Sequence, residues 1–297
     1  MSWLFDPIRA QIQAWALAGT LPDAFQYGFV VNALICGLFI GPILGGVGTM
    51  VVTKRLAFFS QAVGQAALTG VALGIILGEP LTSPYVTLFG FCILFGLVLN
   101  FTKNRTRMST DTLIGVFLSI SMAVGSSLLI FVAAKVNIHI VDQVLFGSIL
   151  TVNNLDMTVL VVISALVSVL GVMRFNRMLV ASFNPQLAHV RGVNVGFLDY
   201  LFILMITVIT VASVKIIGAM LVEALLLIPA AAARILTRDI RGFFFVSIVI
   251  STISCIVGII APMLWNLPIP SGGAIVLVAA VFFCLATVAR LFRRQAM

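Results

Sequence analysis

Long apolar runs, separated by short polar punctuation, dominate the chain. Nine stretches approach or exceed the roughly 20 residues a helix needs to cross a bilayer. They fall at about 27–52, 56–78, 85–101, 111–134, 155–173, 196–214, 216–235, 242–264 and 271–290. Gly and Pro interrupt several of them, which membrane helices tolerate because neighbouring helices satisfy the freed backbone groups. The run from Gly196 to Leu236 would be about 60 Å long as one helix. It must therefore turn, and Lys215 to Gly218 is the place where polarity and flexibility permit it. Residues 1–26 differ: Trp3, Leu4, Phe5, Ile8, Ile12 and Trp15 alternate with Asp6, Arg9, Gln11 and Gln13, the pattern of an amphipathic segment lying at an interface. Residues 27–297 would then form one transmembrane domain. The predicted fold is an all-α polytopic bundle of about eight or nine membrane helices.

Composition agrees with that pattern and narrows the function. Of the 297 residues 62% are hydrophobic and only 9% charged, against about 25% charged in soluble domains. A soluble enzyme, a nucleic-acid reader and a disordered chain are excluded. The net charge of +8 is informative through its placement. Lys54, Arg55, Lys103, Arg105, Arg107, Arg174, Arg177, Arg191, Arg234, Arg238, Arg241, Arg290, Arg293 and Arg294 all lie at alternate connections, 14 of the 17 Lys and Arg. Basic loops stay in the cytoplasm, so the C-terminus is expected inside and, with nine crossings, the N-terminus outside. The first apolar turns carry Asp6 and Arg9 and lack a signal peptide's order.

Several chemistries have no candidate residues. The chain has no GxxxxGK[ST] loop for ATP, and no HExxH, CxxC or GxSxG pattern. Cys36, Cys92, Cys255 and Cys284 lie within apolar runs at no metal-ligand spacing and read as small hydrophobes. The long basic connection 174–195 holds Phe183-Asn184-Pro185-Gln186-Leu187-Ala188-His189-Val190-Arg191-Gly192. Asn184 can cap a short helix, Pro185 can occupy its first position, and Gly192 can end it. Such a helix suits either a rigid contact with a soluble partner or an ordinary interfacial loop.

A few polar residues interrupt the apolar runs. Gln61, Gln65 and Thr69 recur every four residues, so they share one helix face and should meet a pathway or a partner helix rather than lipid. Two Gln side chains could equally be interhelical glue. Glu223 sits among Ala, Leu and Val; an ionisable group there could ligate a cation, pair with a polar neighbour, or stay protonated on a backbone carbonyl. Asp142 and His139 fall on an outer connection and could receive a cation, though outer loops commonly carry such residues. Asp199 is expected to pair with Arg191 or cap a helix, and Lys215 to snorkel to the outer surface.

The motifs, taken in order, resemble the permease subunits of zinc/manganese/iron-type ATP-binding-cassette importers, from about Gly41 to Leu291. The likeness is carried by Gly41-Pro42 with Lys54-Arg55-Leu56, and by Ser60 to Leu73. It continues through Asp111-Thr112-Leu113-Ile114-Gly115 and Leu145 to Leu150. The Phe183–Gly192 loop, Val214 to Ala231 and Leu267 to Leu277 complete it. The resemblance implies a type II importer-like fold in a bacterial plasma membrane and two permease copies. It also implies separate ATPase subunits that bind the ATP and an extracytoplasmic protein that delivers metal or chelate. No cofactor is implied beyond a divalent metal as cargo. Phe183, Pro185, Ala188 and Gly192 would then dock the ATPase, and Gln61, Gln65, Thr69 and Glu223 would line the path, with Glu223, Asp142 and His139 as candidate metal contacts. The sequence departs from the family at Gln61 and Gln65, where the family usually has Asp and His. Amides bind divalent cations poorly beside carboxylate and imidazole. The cargo is then held elsewhere, passes as a chelate, or is not a bare divalent ion. A secondary transporter or channel, and a scaffold that has lost transport, are the competing readings.

Overall fold

A computed structural model of the chain describes residues 6–17, 23–80, 84–106, 108–133, 152–265 and 271–295. Among them every regular element is helical. α1 (Asp6–Leu17) and a 3₁₀ turn (Asp23–Gln26) precede α2 (Gly28–Thr53), α3 (Phe59–Ile76), α4 (Tyr85–Arg105) and α5 (Thr110–Ala133). After residues outside the described set come α6 (Asn154–Phe183), the short α7 (Pro185–Val190), α8 (Val195–Ile217), α9 (Ala219–Leu236), α10 (Ile240–Leu264) and α11 (Ser271–Gln295). Nine of these helices, all but α1 and α7, are long and apolar enough to span a membrane.

The fifth run continues as helix ten residues beyond its expected end, to Phe183, because Arg174 to Phe183 contains no Gly or Pro. Asn184 and Pro185 stop it, since Pro disfavours helical backbone in the residue before it. Asn184 then caps α7 as expected: its Oδ1 accepts the Leu187 N–H at 3.0 Å. Gly192, at φ +69°, leads out of that helix.

α8 is the buried axis of the bundle, with fourteen of its residues shielded. Ion pairs fix both its ends. Near its start Asp199 pairs with Lys54, the residue that caps α2. Near its end Lys215 pairs with Asp156 of α6 at 2.8 Å and lies 3.7 Å above the Tyr85 ring, while the Tyr85 hydroxyl also donates to Asp156. Both differ from expectation. Asp199 takes Lys54 rather than Arg191 because α2 ends at the level where α8 begins. Lys215 turns inward to a carboxylate rather than snorkelling, and its side chain is 18% exposed.

α2 packs on α10 through Gly37, Gly41 and Gly45, four residues apart on one face. A methyl group on Gly41 would stand 2.8 Å from Thr252 Cα, so only glycine permits this approach. The Ser247 hydroxyl exploits it by donating to the Gly45 carbonyl at 2.7 Å. At the end of the bundle away from the basic connections, Arg9 ties α1 to the starts of α2 and α6, donating to Asn32 at 2.5 Å and to Asn154.

Candidate functional site

The α8–α9 turn positions the candidate site. Gly218 has φ +86° and ψ 156°, a conformation almost restricted to glycine. It ends α8 and starts α9 with no side-chain cap. The turn occurs where expected along the chain, but deep in the bundle rather than at its surface. A methyl group on Gly64 of α3 would lie 3.1 Å from Ala219 Cβ, so the first residue of α9 packs on the second turn of α3. About 18 Å of α3, from Gly64 to Ile76, extends beyond this contact at 1.5 Å per residue.

From that contact the neighbouring faces can be placed. Each residue advances about 100° round a helix. On α3, Gln61, Gln65 and Thr69 lie about 60°, about 100° and about 140° from Gly64 on one side. On the other side Ser60, Val63 and Ala67 are buried. On α9, Glu223 and Leu227 lie about 40° and about 80° from Ala219 on the half-buried side. Val222, Leu225 and Leu226 turn the opposite way into the core. Leu68 and Ala72, also on the glutamine side of α3, pack on Leu129 and Val132 of α5, and the helical period puts Gln61, Gln65 and Glu223 on this same side of the α3–α9 contact. The helices run antiparallel, which puts Glu223 about 6 Å from the Ala219 level towards the start of α3, near Gln61. The fold thus brings one carboxylate and two amides, all half-buried, to one seam along the α3–α9 contact.

Thr69 separates from this group. It is buried, its hydroxyl lies 3.5 Å from the Ser121 carbonyl of α5, and a methyl on Gly125 would stand 2.9 Å from its Oγ1. Its place is the α3–α5 contact. Gln61 and Gln65 are half-buried and, among the described residues, neither side chain makes a hydrogen bond. They are therefore not glue to a described neighbour, and their amides remain available to whatever enters the seam.

No cluster of three or more His, Cys, Asp or Glu occurs among the described residues. A single carboxylate with two amides can offset part of a cation's dehydration but does not make a resident metal cage. Asp142, His139 and the Leu145–Leu150 motif lie outside the described residues, as does Leu267–Pro270.

At the basic end, α7 exposes Phe183 beside it, Leu187 and Val190, the last 89% exposed. Ala188, expected on the docking face, is fully buried, and its carbonyl accepts the Val193 N–H. It seats α7 on the bundle, leaving Leu187 and Val190 to face outward. Sequence reasoning missed both the outward pair and the Asp156–Lys215–Tyr85 cluster. Asp156 could be read as half of a capping box with Asn153; its second role depends on a partner 59 residues away.

The family model described as the ABC 3 transport family matches residues 26–290. The chain belongs to this family. It is 32% identical over 266 residues to the manganese transport system membrane protein MntC of Listeria innocua, covering 90% of this chain and 92% of that protein. It is 28% identical over 277 residues to the high-affinity zinc uptake system membrane protein ZnuB of Haemophilus influenzae, covering 91% and 99%. Among solved structures it is similar to PsaBC from Streptococcus pneumoniae in complex with Fab: TM-score 0.77, 28% identity, 89% of this chain and 93% of that one. The resemblance read from the motifs therefore holds: the chain is a permease of the metal-transporting ABC family, with its all-helical membrane fold.

Proposed function

We propose that the chain is the membrane-spanning subunit of an importer that moves a divalent metal, manganese or zinc before iron, into a bacterial cytoplasm. The observation that supports this reading is the seam: helical period from the Gly64–Ala219 contact puts Glu223 on the same side as Gln61 and Gln65, half-buried and unpaired among the described residues. A charge in such a place is costly and is kept where it serves a pathway. Two permease copies would face each other across their seams. The basic end lies in the cytoplasm, by the placement of Lys and Arg. There α7 offers Leu187, Val190 and Phe183 to an ATPase subunit that binds and hydrolyses ATP. A binding protein delivers cargo at the opposite end. ATPase closure pushes α7 and, through Ala188 and the α6–α8 contacts, tilts the helices that frame the seam. Weak neutral ligands beside a single carboxylate favour transit over capture.

A second reading rests on the same amides. With Gln at 61 and 65, a chelate or a less strongly dehydrated ion needs fewer protein charges than a bare divalent ion. Uptake by vesicles containing the permease and its ATPase separates the readings. Free radioactive manganese or zinc should accumulate with ATP, and Glu223→Gln should reduce uptake at least tenfold at equal permease abundance. Accumulation of the chelated metal alone would support the second reading. Normal uptake by Glu223→Gln would remove the seam from the pathway.

A further inference from the structure

On the side of α2 away from α9, a groove of about 480 Å³ opens between α6 and α10. Its floor is α2 from Pro42 to Met50, its walls include Gly171 and Val172 of α6 and Phe244 and Phe245 of α10, and Phe175 meets Phe244 at 4.9 Å between ring centres. Gly48, which abuts Leu226 of α9, lies on the opposite face of α2 from Met50 and Ile43. The groove therefore points away from the Gln61–Glu223 seam and stays open when two copies meet there.

Its polarity changes along its length. The walls are apolar, while Asn176 and Arg241 stand in its lining at the basic end. A second cleft of about 310 Å³ adjoins it, sharing Met50 and Phe175, and is lined by Arg234, Thr237, Arg238 and Asp239. Asp239 is occupied as the cap of α10, accepting the Gly242 N–H at 2.7 Å. Arg234 stands over the Phe243 ring at 5.8 Å. Arg238 and Arg241 have no acidic partner among the described residues. The floor from Pro42 to Met50 is about 12 Å long, close to half the thickness of a bilayer's roughly 30 Å hydrocarbon core.

We propose that this groove holds one acyl chain of an anionic glycerophospholipid, with its phosphate on Arg241 and Arg238. An apolar slot one leaflet deep, ending in Arg241 and continued by a cleft in which Arg234 and Arg238 outnumber the one carboxylate of Asp239, matches that amphiphile in both shape and sign. Because α10 is clasped to α2 by the glycine contacts and α6 leads into α7, the lipid wedges the two sides of the helix pair. The leaflet, though not the binding, rests on the topology proposed above; a reversed topology would leave the lipid preference intact.

Native mass spectrometry of the full-length permease, titrated with phosphatidylglycerol and with phosphatidylcholine of the same chains, tests this. The wild type should retain phosphatidylglycerol preferentially. Arg241→Gln should weaken that retention about fivefold, the effect of one basic residue near an anionic headgroup, and leave phosphatidylcholine unchanged. Gly171→Phe, placed where an added Cβ meets only Met205 at 3.6 Å, should fill the slot and lower retention of both lipids in a protein that still purifies with its normal thermal stability. Equal retention of the two lipids by the wild type would overturn the proposal. So would a preference insensitive to both substitutions, or a loss of ATPase co-purification with lipid retention untouched, which would make the groove a protein contact.

Discussion

Two regions of this permease place polar side chains inside apolar helices, and they treat them in opposite ways. At the ends of α8, Lys54 meets Asp199 and Lys215 meets Asp156, each ion neutralised by a partner and shielded by aromatic rings. Along the α3–α9 seam, Glu223, Gln61 and Gln65 are half-buried, and none forms an ion pair or hydrogen bond with a described residue. Paired charge fixes a helix in place. Unpaired polarity, half-buried among apolar helices, suits the transient cargo proposed for the seam. The difference is one of partner geometry, since both regions draw on the same few residue types.

The comparison breaks most visibly at the paired ends. Removing one member of a shielded pair strands the other, at a cost of about 3–5 kcal/mol. Asp156→Ala should therefore lower the thermal stability of the purified permease by that order, and the double variant Asp156→Leu with Lys215→Met should recover most of it. If the single variant is as stable as the wild type, α8 is not fixed by this pair. The turn between the regions comes next. Gly218→Ala forces a side chain into backbone that essentially only glycine adopts, at about 1–3 kcal/mol. The same thermal assay should detect this, with uptake falling alongside stability; a neutral result would mean that the turn relaxes freely.

At α7 the expected effect is on coupling rather than stability. Val190→Glu, on the outward face, should reduce ATPase co-purification while leaving the melting temperature unchanged, whereas Ala188→Glu should destabilise the protein because that position is sealed. Equal behaviour of the two variants would contradict the assigned faces. The smallest effect belongs to the seam's amides: Gln65→Ala should change uptake severalfold less than Glu223→Gln, as a neutral dipole offsets less of a cation's dehydration than a carboxylate does.

Much of this was legible in the chain. Runs of apolar residues gave the helices and their number because a membrane span needs only length and hydrophobicity. Asn184, Pro185 and Gly192 gave α7 because caps act within a few residues. The face shared by Gln61, Gln65 and Thr69 followed from helical period. Its division did not: Thr69 is taken up by Gly125 of α5, and the approach of Glu223 depends on Gly64 meeting Ala219 across 155 residues of chain. The partners of Asp199 and Lys215 were hidden for the same reason, since which residues share a level depends on where each helix begins and how it tilts. Ala188 looked like a surface residue because a six-residue helix carries too little periodicity to show which side is sealed.

The central claim is that the α3–α9 seam is a water-accessible path for metal. In a Cys284→Ser background, where the remaining cysteines Cys36, Cys92 and Cys255 are buried, Gln65→Cys and Thr69→Cys can be exposed to a charged thiol reagent in the assembled transporter. The account predicts that Gln65→Cys is modified, that modification stops uptake, and that excess manganese or zinc slows the reaction, while Thr69→Cys stays unreacted in the α3–α5 contact. Modification of neither residue, or of Gln65→Cys with uptake intact, would contradict it.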